Sequence, residues 1–123
     1  MKSSRNLEYL PDKSASALEE LWQNCFAGPA NQAHMNAYVP QPITKAWELY
    51  GFLKANRGYT CWLIRHKSSQ KIIGFAVHGD FIPGQPNSIG FNIGLPWIRK
   101  GYAKETLRTL LDHLRQIGYT HTQ

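Results

Sequence analysis

The spacing of hydrophobic positions changes period twice along the chain, and the changes mark the elements. Leu7, Glu8, Tyr9 and Leu10 alternate and stop at Pro11, which predicts a short strand. Leu18, Leu21, Trp22 and Cys25 then recur at i, i+3, i+4 and i+7, one apolar face of a helix. Ser16-Ala17-Leu18-Glu19 has the spacing of a capping box at its start, and Gly28-Pro29 closes it. Residues 27–42 hold Gly, three Pro and two Asn and read as a loop. Ile43, Ala46, Trp47, Tyr50 and Leu53 form a second helical stripe, ending near Asn56-Arg57-Gly58.

From here the period is two. Tyr59–Arg65, rich in β-branched and aromatic residues, reads as a strand, and His66-Lys67-Ser68-Ser69-Gln70 as a polar hairpin turn. Ile72-Ile73-Gly74-Phe75-Ala76-Val77 is a near-continuous apolar strand, buried on both faces. After the turn Pro83-Gly84-Gln85-Pro86-Asn87, the residues Ile89, Phe91, Ile93 and Leu95 alternate with Gly90, Asn92 and Gly94, a strand with one bulky and one nearly bare face that ends at Pro96. Leu107, Leu110, Leu111, Leu114 and Ile117 give the clearest helix, closed by Gly118, and Tyr119–Thr122 can begin one more strand. The order β-α-α-β-β-β-α-β predicts a single α+β domain over residues 1–123: a mixed, mainly antiparallel sheet flanked by helices.

Composition narrows the class. At 123 residues with 42% hydrophobic and 18% charged positions, the chain holds one globular domain and not a disordered tail. No apolar run approaches the roughly 20 residues of a membrane span, and no signal-peptide apolar region follows Met1-Lys2-Ser3-Ser4-Arg5. Cys25 and Cys61, without CxxC spacing, read as free thiols in a reducing cytoplasm. Fourteen Lys and Arg against eight Asp and Glu leave a net charge of +6, which favours an anionic partner. Most cations are dispersed, but Arg99, Lys100, Lys104 and Arg108 cluster with Glu105 as their one acid.

That cluster lies where the last bulky strand feeds the long helix. A helix N-terminus carries unpaired N–H groups and about half a positive charge, so acids ordinarily occupy its first turn. Cations there are unfavourable until an anion binds. Gly101 and the small Ala103 let backbone amides approach such an anion. The bare strand face of Gly90, Asn92 and Gly94 admits either an extended ligand arm or a closely packed helix.

The stretch Ser88-Ile89-Gly90-Phe91-Asn92-Ile93-Gly94-Leu95-Pro96-Trp97-Ile98-Arg99-Lys100-Gly101-Tyr102-Ala103-Lys104-Glu105-Thr106-Leu107 resembles the cofactor motif of the GNAT superfamily of acetyl-CoA-dependent N-acetyltransferases, most closely the branch that acetylates ribosomal-protein N-termini. The resemblance extends over the element order from residue 7 to residue 123. It implies acetyl-CoA as acetyl donor and an amine-bearing acceptor, a protein or a small molecule. Ile93, Gly94 and Leu95 would meet the pantetheine arm, and Arg99, Lys100, Gly101, Tyr102, Ala103 and Lys104 would cradle the pyrophosphate. Ile98 departs from the Gln/Arg that opens the family consensus. Ser88 stands where many relatives carry a glutamate base, and the catalytic residues stay unassigned. The family's usual C-terminal elements have no counterpart after Gln123, so the domain reads as incomplete there, with a homodimer expected to cover the open sheet edge. The competing readings are a basic nucleic-acid-binding module using the same cations on phosphates, and a non-catalytic interaction domain that retains the fold.

Other chemistry-bearing residues read as structural. The five histidines show no HExxH or i, i+4 pairing, which argues against a zinc site. Asp112-His113 falls on the polar face of the last helix, His78 and Asp80 at a hairpin end, and both cysteines on apolar positions. Trp22, Trp47 and Tyr50 stand at helical spacing as core residues, with the 40–52 region corresponding to the family's variable acceptor side.

Overall fold

A computed structural model describes residues 1–37, 42–55 and 58–118. The strand β1 (Leu7–Leu10) is followed by the helix α1 (Ala15–Leu21), which continues into a π-helical turn over Trp22–Phe26. Two further helices, α2 (Pro29–Met35) and α3 (Ala46–Lys54), precede the strands β2 (Tyr59–His66), β3 (Lys71–Gly79) and β4 (Ser88–Ile93). A 3-10 turn (Leu95–Trp97) then leads to the long helix α4 (Tyr102–Gln116). The strands form one antiparallel sheet in the order β1-β2-β3-β4. The α+β class stands. The final strand expected at residues 119–122 lies outside the described residues.

Helices cover both faces of the sheet. On one, α1, the π turn, α2 and α3 bury Leu18, Leu21, Cys25, Phe26, Met35, Leu49 and Leu53 against Leu63, Phe75 and Val77. On the other, α4 brings Leu110 and Leu114 onto Leu7, Tyr9, Trp62, Ile64, Ile73 and Ala76. β3 is therefore buried on both sides, as its apolar run predicts. A bulge lies between Ile64 and Arg65, where β3 carries Ile73 as an extra residue (Ile64 pairs with Gly74, Arg65 with Ile72). The bulged backbone is held from α1 and the π turn: Ile72 N–H donates to the Glu20 carboxylate (2.8 Å), and Asn24 Nδ2 donates to the Ile72 carbonyl (2.8 Å).

Four local expectations need correction. The cap of α1 is Ser14, not Ser16: its extended backbone lets Oγ accept from Ala17 N–H, which places Ser16 inside the helix. The predicted loop over 27–42 contains α2, because Pro29 stands at the first helical position, where a missing N–H costs nothing. Trp47 is 68% exposed on α3, whose buried side chains are Leu49 and Leu53. Finally, α4 is rotated from the predicted stripe, burying Thr106, Leu110 and Leu114 and leaving Ile117 58% exposed.

Candidate functional site

The end of β4, the turn after it and the start of α4 make a continuous structure from Ile93 to Glu105. Gly94 N–H donates to the Ile73 carbonyl of β3 (2.7 Å), the last ladder bond before the chain turns. The Gly94 carbonyl accepts from Trp97 N–H, closing the 3-10 turn that Pro96 favours. Arg99 adopts a left-handed conformation (φ 62°), and so does Gly101 (φ 85°), the N-cap of α4. The first bond of the helix runs from Glu105 N–H to the Gly101 carbonyl (3.0 Å). The N–H groups of Tyr102, Ala103 and Lys104 thus have no partner within the helix, and open space surrounds Gly101, where an added Cβ would meet nothing within 4 Å. Arg99, Lys100 and Lys104 are exposed around these amides.

The acid of the cluster is turned away from them. The Glu105 carboxylate accepts from Asn6 N–H (2.7 Å), Asn6 Nδ2 (2.9 Å) and Ser4 Oγ. Burial pushes its pKa upward, but these donors outweigh burial and hold it below the ordinary glutamate value. The N-terminal residues are in this way strapped across the first turn of α4. Tyr102 is braced on the other side: its hydroxyl lies 2.9 Å from His66 Nε2, and His66 Nδ1 accepts from Ser69 N–H. His66, which reads in sequence as a turn residue, therefore supports the helix start from the β2–β3 hairpin.

The bare face of β4 is filled by protein. A Cβ on Gly94 would lie 2.7 Å from Cys25 Sγ and 3.2 Å from Trp97 Cε3, and one on Gly90 would lie 3.1 Å from Phe81 Cζ. Of the two readings of these glycines, close packing is what the geometry favours. Asn92 Nδ2 donates to the Met35 carbonyl (2.8 Å) and His34 Nε2 lies 2.8 Å from the Ile93 carbonyl, so α2 is clamped to the end of β4 by two hydrogen bonds. Neither contact has a signal in the sequence pattern. The residues singled out around 93–95 and 99–104 thus form one contiguous turn, with α2 beside its strand end and the β2–β3 hairpin beside its helix start.

The remaining candidates fall where the sequence reading places them, with one exception. Cys25 and Cys61 are buried, and burial pushes their thiols up to about 12 and about 11, which makes them core groups and poor nucleophiles. Ser88 Oγ donates to the Gln85 carbonyl (2.7 Å) and Asp80 accepts from Asn87 N–H (2.9 Å), both within the β3–β4 connection. The exception is His113, expected on the solvated face of α4: it packs edge-on against Trp62 with ring centroids 5.4 Å apart, and burial lowers its pKa. Among the described residues, no cluster of three or more His, Cys, Asp or Glu is arranged to hold a metal ion, and no helix is long and apolar enough to cross a membrane.

A family model described as the acetyltransferase (GNAT) domain matches residues 13–122. No curated protein matches the sequence. Among solved structures, the chain is similar to a GNAT-family acetyltransferase from Bacillus anthracis, with a TM-score of 0.72 at 16% identity over 95% of this chain and 68% of that one. It is also similar to an acetyltransferase from Agrobacterium tumefaciens strain C58, with a TM-score of 0.65 at 19% identity over 91% of this chain and 64% of that one. The structure of RimL, a ribosomal L7/L12 alpha-N-protein acetyltransferase, gives a TM-score of 0.65 at 20% identity over 94% of this chain and 64% of that one. At these identities the likeness is one of fold. The chain spans about two thirds of the length of these structures.

Proposed function

The chain belongs to the GNAT acetyltransferase family, and from that premise we propose that it binds acetyl-CoA at the β4–α4 junction and transfers the acetyl group to a primary amine of a protein or a small molecule. The observation that carries this reading is the junction itself. Two left-handed residues, Arg99 and Gly101, lead into a helix start whose N–H groups at 102–104 have no partner within the helix, while the one nearby acid is bound to the N-terminal strap. Oriented amides, a positive helix end and three exposed cations fit a pyrophosphate. Arg99, Lys100, Gly101, Tyr102, Ala103 and Lys104 would hold it. The pantetheine arm would follow Ile93, Gly94 and Leu95, where the Ile93 carbonyl keeps a second lone pair for an amide of the arm. Bound there, acetyl-CoA supplies an activated acyl group as a thioester. The fold likeness to RimL puts a protein α-amine first among the acceptors to screen.

Acetyl-CoA at 100 times its dissociation constant is expected to stabilise the domain by about 2.7 kcal/mol, and Lys100→Glu with Lys104→Glu to abolish that gain while leaving a cooperative thermal transition. An unchanged transition at millimolar acetyl-CoA, with a shift on adding single-stranded DNA or tRNA, would replace this reading by nucleic-acid binding. Self-association belongs to the same proposal, since β4 pairs with β3 alone among the described residues. Sedimentation at micromolar concentration tests it, and a monomer overturns it.

A further inference from the structure

We propose that His34 is the general base of the acetyl transfer, an inference that rests on the reading above. At neutral pH a primary amine is protonated and must give up a proton before its nitrogen can attack a thioester. Ser88 cannot accept that proton, because its hydroxyl is a weak base and is spent on the Gln85 carbonyl. The rest of β4 (Ile89, Gly90, Phe91, Asn92, Ile93) has no ionisable side chain. At the opposite end of β4 from His78, which pairs with Ile89, and from Asp80, which is bonded to Asn87 N–H, a group able to do so comes from α2. His34 Nε2 lies 2.8 Å from the Ile93 carbonyl, and since a carbonyl only accepts, Nε2 carries the hydrogen and Nδ1 carries the lone pair. That carbonyl points away from β3, because the N–H of the same peptide, on Gly94, is the one bonded to Ile73. The imidazole therefore stands at the open edge of β4, at the three-residue strand end proposed for the donor arm.

The elements around the ring carry little charge. α2, the π turn, β4 and the 3-10 turn contain only two titratable side chains, His34 itself and Cys25, and burial pushes the Cys25 thiol up to about 12, so it stays uncharged. The Asn92-to-Met35 hydrogen bond fixes the C-terminal turn of α2 on β4 and with it the ring position. In the reaction His34 Nδ1 takes a proton from the acceptor ammonium. The freed amine nitrogen forms its bond to the acetyl carbon as the carbon–sulfur bond breaks. The thiolate leaves and takes the second amine proton, giving the amide and the free thiol, and His34 returns its proton to solvent.

Two measurements test this. In 15N-histidine NMR spectra, His34 is expected as the Nε2–H tautomer, with an Nδ1 resonance that moves on addition of acetyl-CoA. A Nδ1–H tautomer, or a His34 that stays still while the amides of 99–104 respond, overturns the inference and leaves cofactor binding intact. If those amides do not respond to millimolar acetyl-CoA, it is the cofactor reading that fails. For turnover, the acceptors are a peptide with a free N-terminal serine, a lysine peptide and spermidine. His34→Gln keeps a donor for the Ile93 carbonyl but cannot take a proton. It is expected to lower kcat by about 10²–10⁴-fold and to remove the acid limb of the pH profile, with the KM for acetyl-CoA unchanged. Activity within about threefold of the parent, or an unaltered acid limb, would mean that His34 serves only to fasten α2, as would rescue by Gln of a loss caused by His34→Ala.

Discussion

Two glycines seven residues apart in the turn between β4 and α4 do opposite jobs, and substitution separates them. Gly94 has an ordinary backbone (φ −61°) but no room: a methyl group would lie 2.7 Å from Cys25 Sγ and 3.3 Å from its Cβ. Gly101 has room for a Cβ but a left-handed backbone at φ 85°. Gly94→Ala should therefore destabilise by overpacking, about 1–3 kcal/mol, and Cys25→Ala should recover part of that cost because it removes the colliding sulfur. Gly101→Ala should cost about 1–2 kcal/mol through backbone strain, and Gly101→Asn less, since asparagine tolerates the left-handed region. Urea midpoints of the four variants and the Gly94→Ala/Cys25→Ala pair check both statements. Equal costs for Ala and Asn at 101, or additive effects at 94 and 25, would contradict the assignment. The thiol of Cys25 should also react with a disulfide reagent only after unfolding, because it is buried and its pKa is raised to about 12.

Between elements, the N-terminal strap on α4 gives the domain an acid sensitivity. Glu105 is held below the ordinary glutamate value of 4.5 in the folded state by Ser4 and Asn6, against the opposing effect of burial. A carboxylate whose pKa is depressed by folding contributes stability above its unfolded value, and that contribution is lost as pH falls through the folded one. Glu8, lowered chiefly by its hydrogen bond from Arg65, and Glu19, lowered chiefly by Tyr50, act in the same sense. The urea midpoint should thus fall below pH about 4.5, and Glu105→Gln should flatten that fall without removing it, because two carboxylates remain. An identical fall in the variant would mean that the strap carries no linkage. Contacts of this kind explain what the sequence pattern could and could not reveal. β2, β3, β4 and α4 are legible because each buries a regular apolar set against the sheet. α2 is not, because Pro29–Met35 buries only Met35 and has no stripe to detect. The turn at 99–104 shows itself by glycine and charge. The side chains that hold it come from residues 36 to 101 positions away, as His66 does to Tyr102 and Ser4 to Glu105, and no periodicity encodes such distances. His34 was hidden for the same reason.

For the whole molecule, the net charge of +6 matters through where it is concentrated. Arg99, Lys100, Lys104 and Arg108 are exposed on the turn and first two turns of α4, beside the positive end of the helix. Glu105, the acid among them, is occupied by Ser4 and Asn6, so it neutralises this surface less than the sequence suggests. If this surface binds the pyrophosphate as proposed, it does so at a cost in stability of the free domain, each cation near the helix start opposing the dipole by up to about 1 kcal/mol. Two trends of opposite sign should follow. Raising the ionic strength shortens the screening length from about 10 Å at 0.1 M to about 3 Å at 1 M. The free protein should then melt higher, as like charges cease to repel, while acetyl-CoA binds more weakly. Lys100→Glu with Lys104→Glu should raise the low-salt melting temperature of the free protein, flatten its salt dependence and eliminate acetyl-CoA binding in one step. Melting curves between 0.05 and about 1 M sodium chloride, with and without acetyl-CoA, read all three effects. A double variant that melts lower than the parent at low salt would show that these lysines stabilise the fold, and that the trade of stability for anion affinity at the start of α4 does not exist.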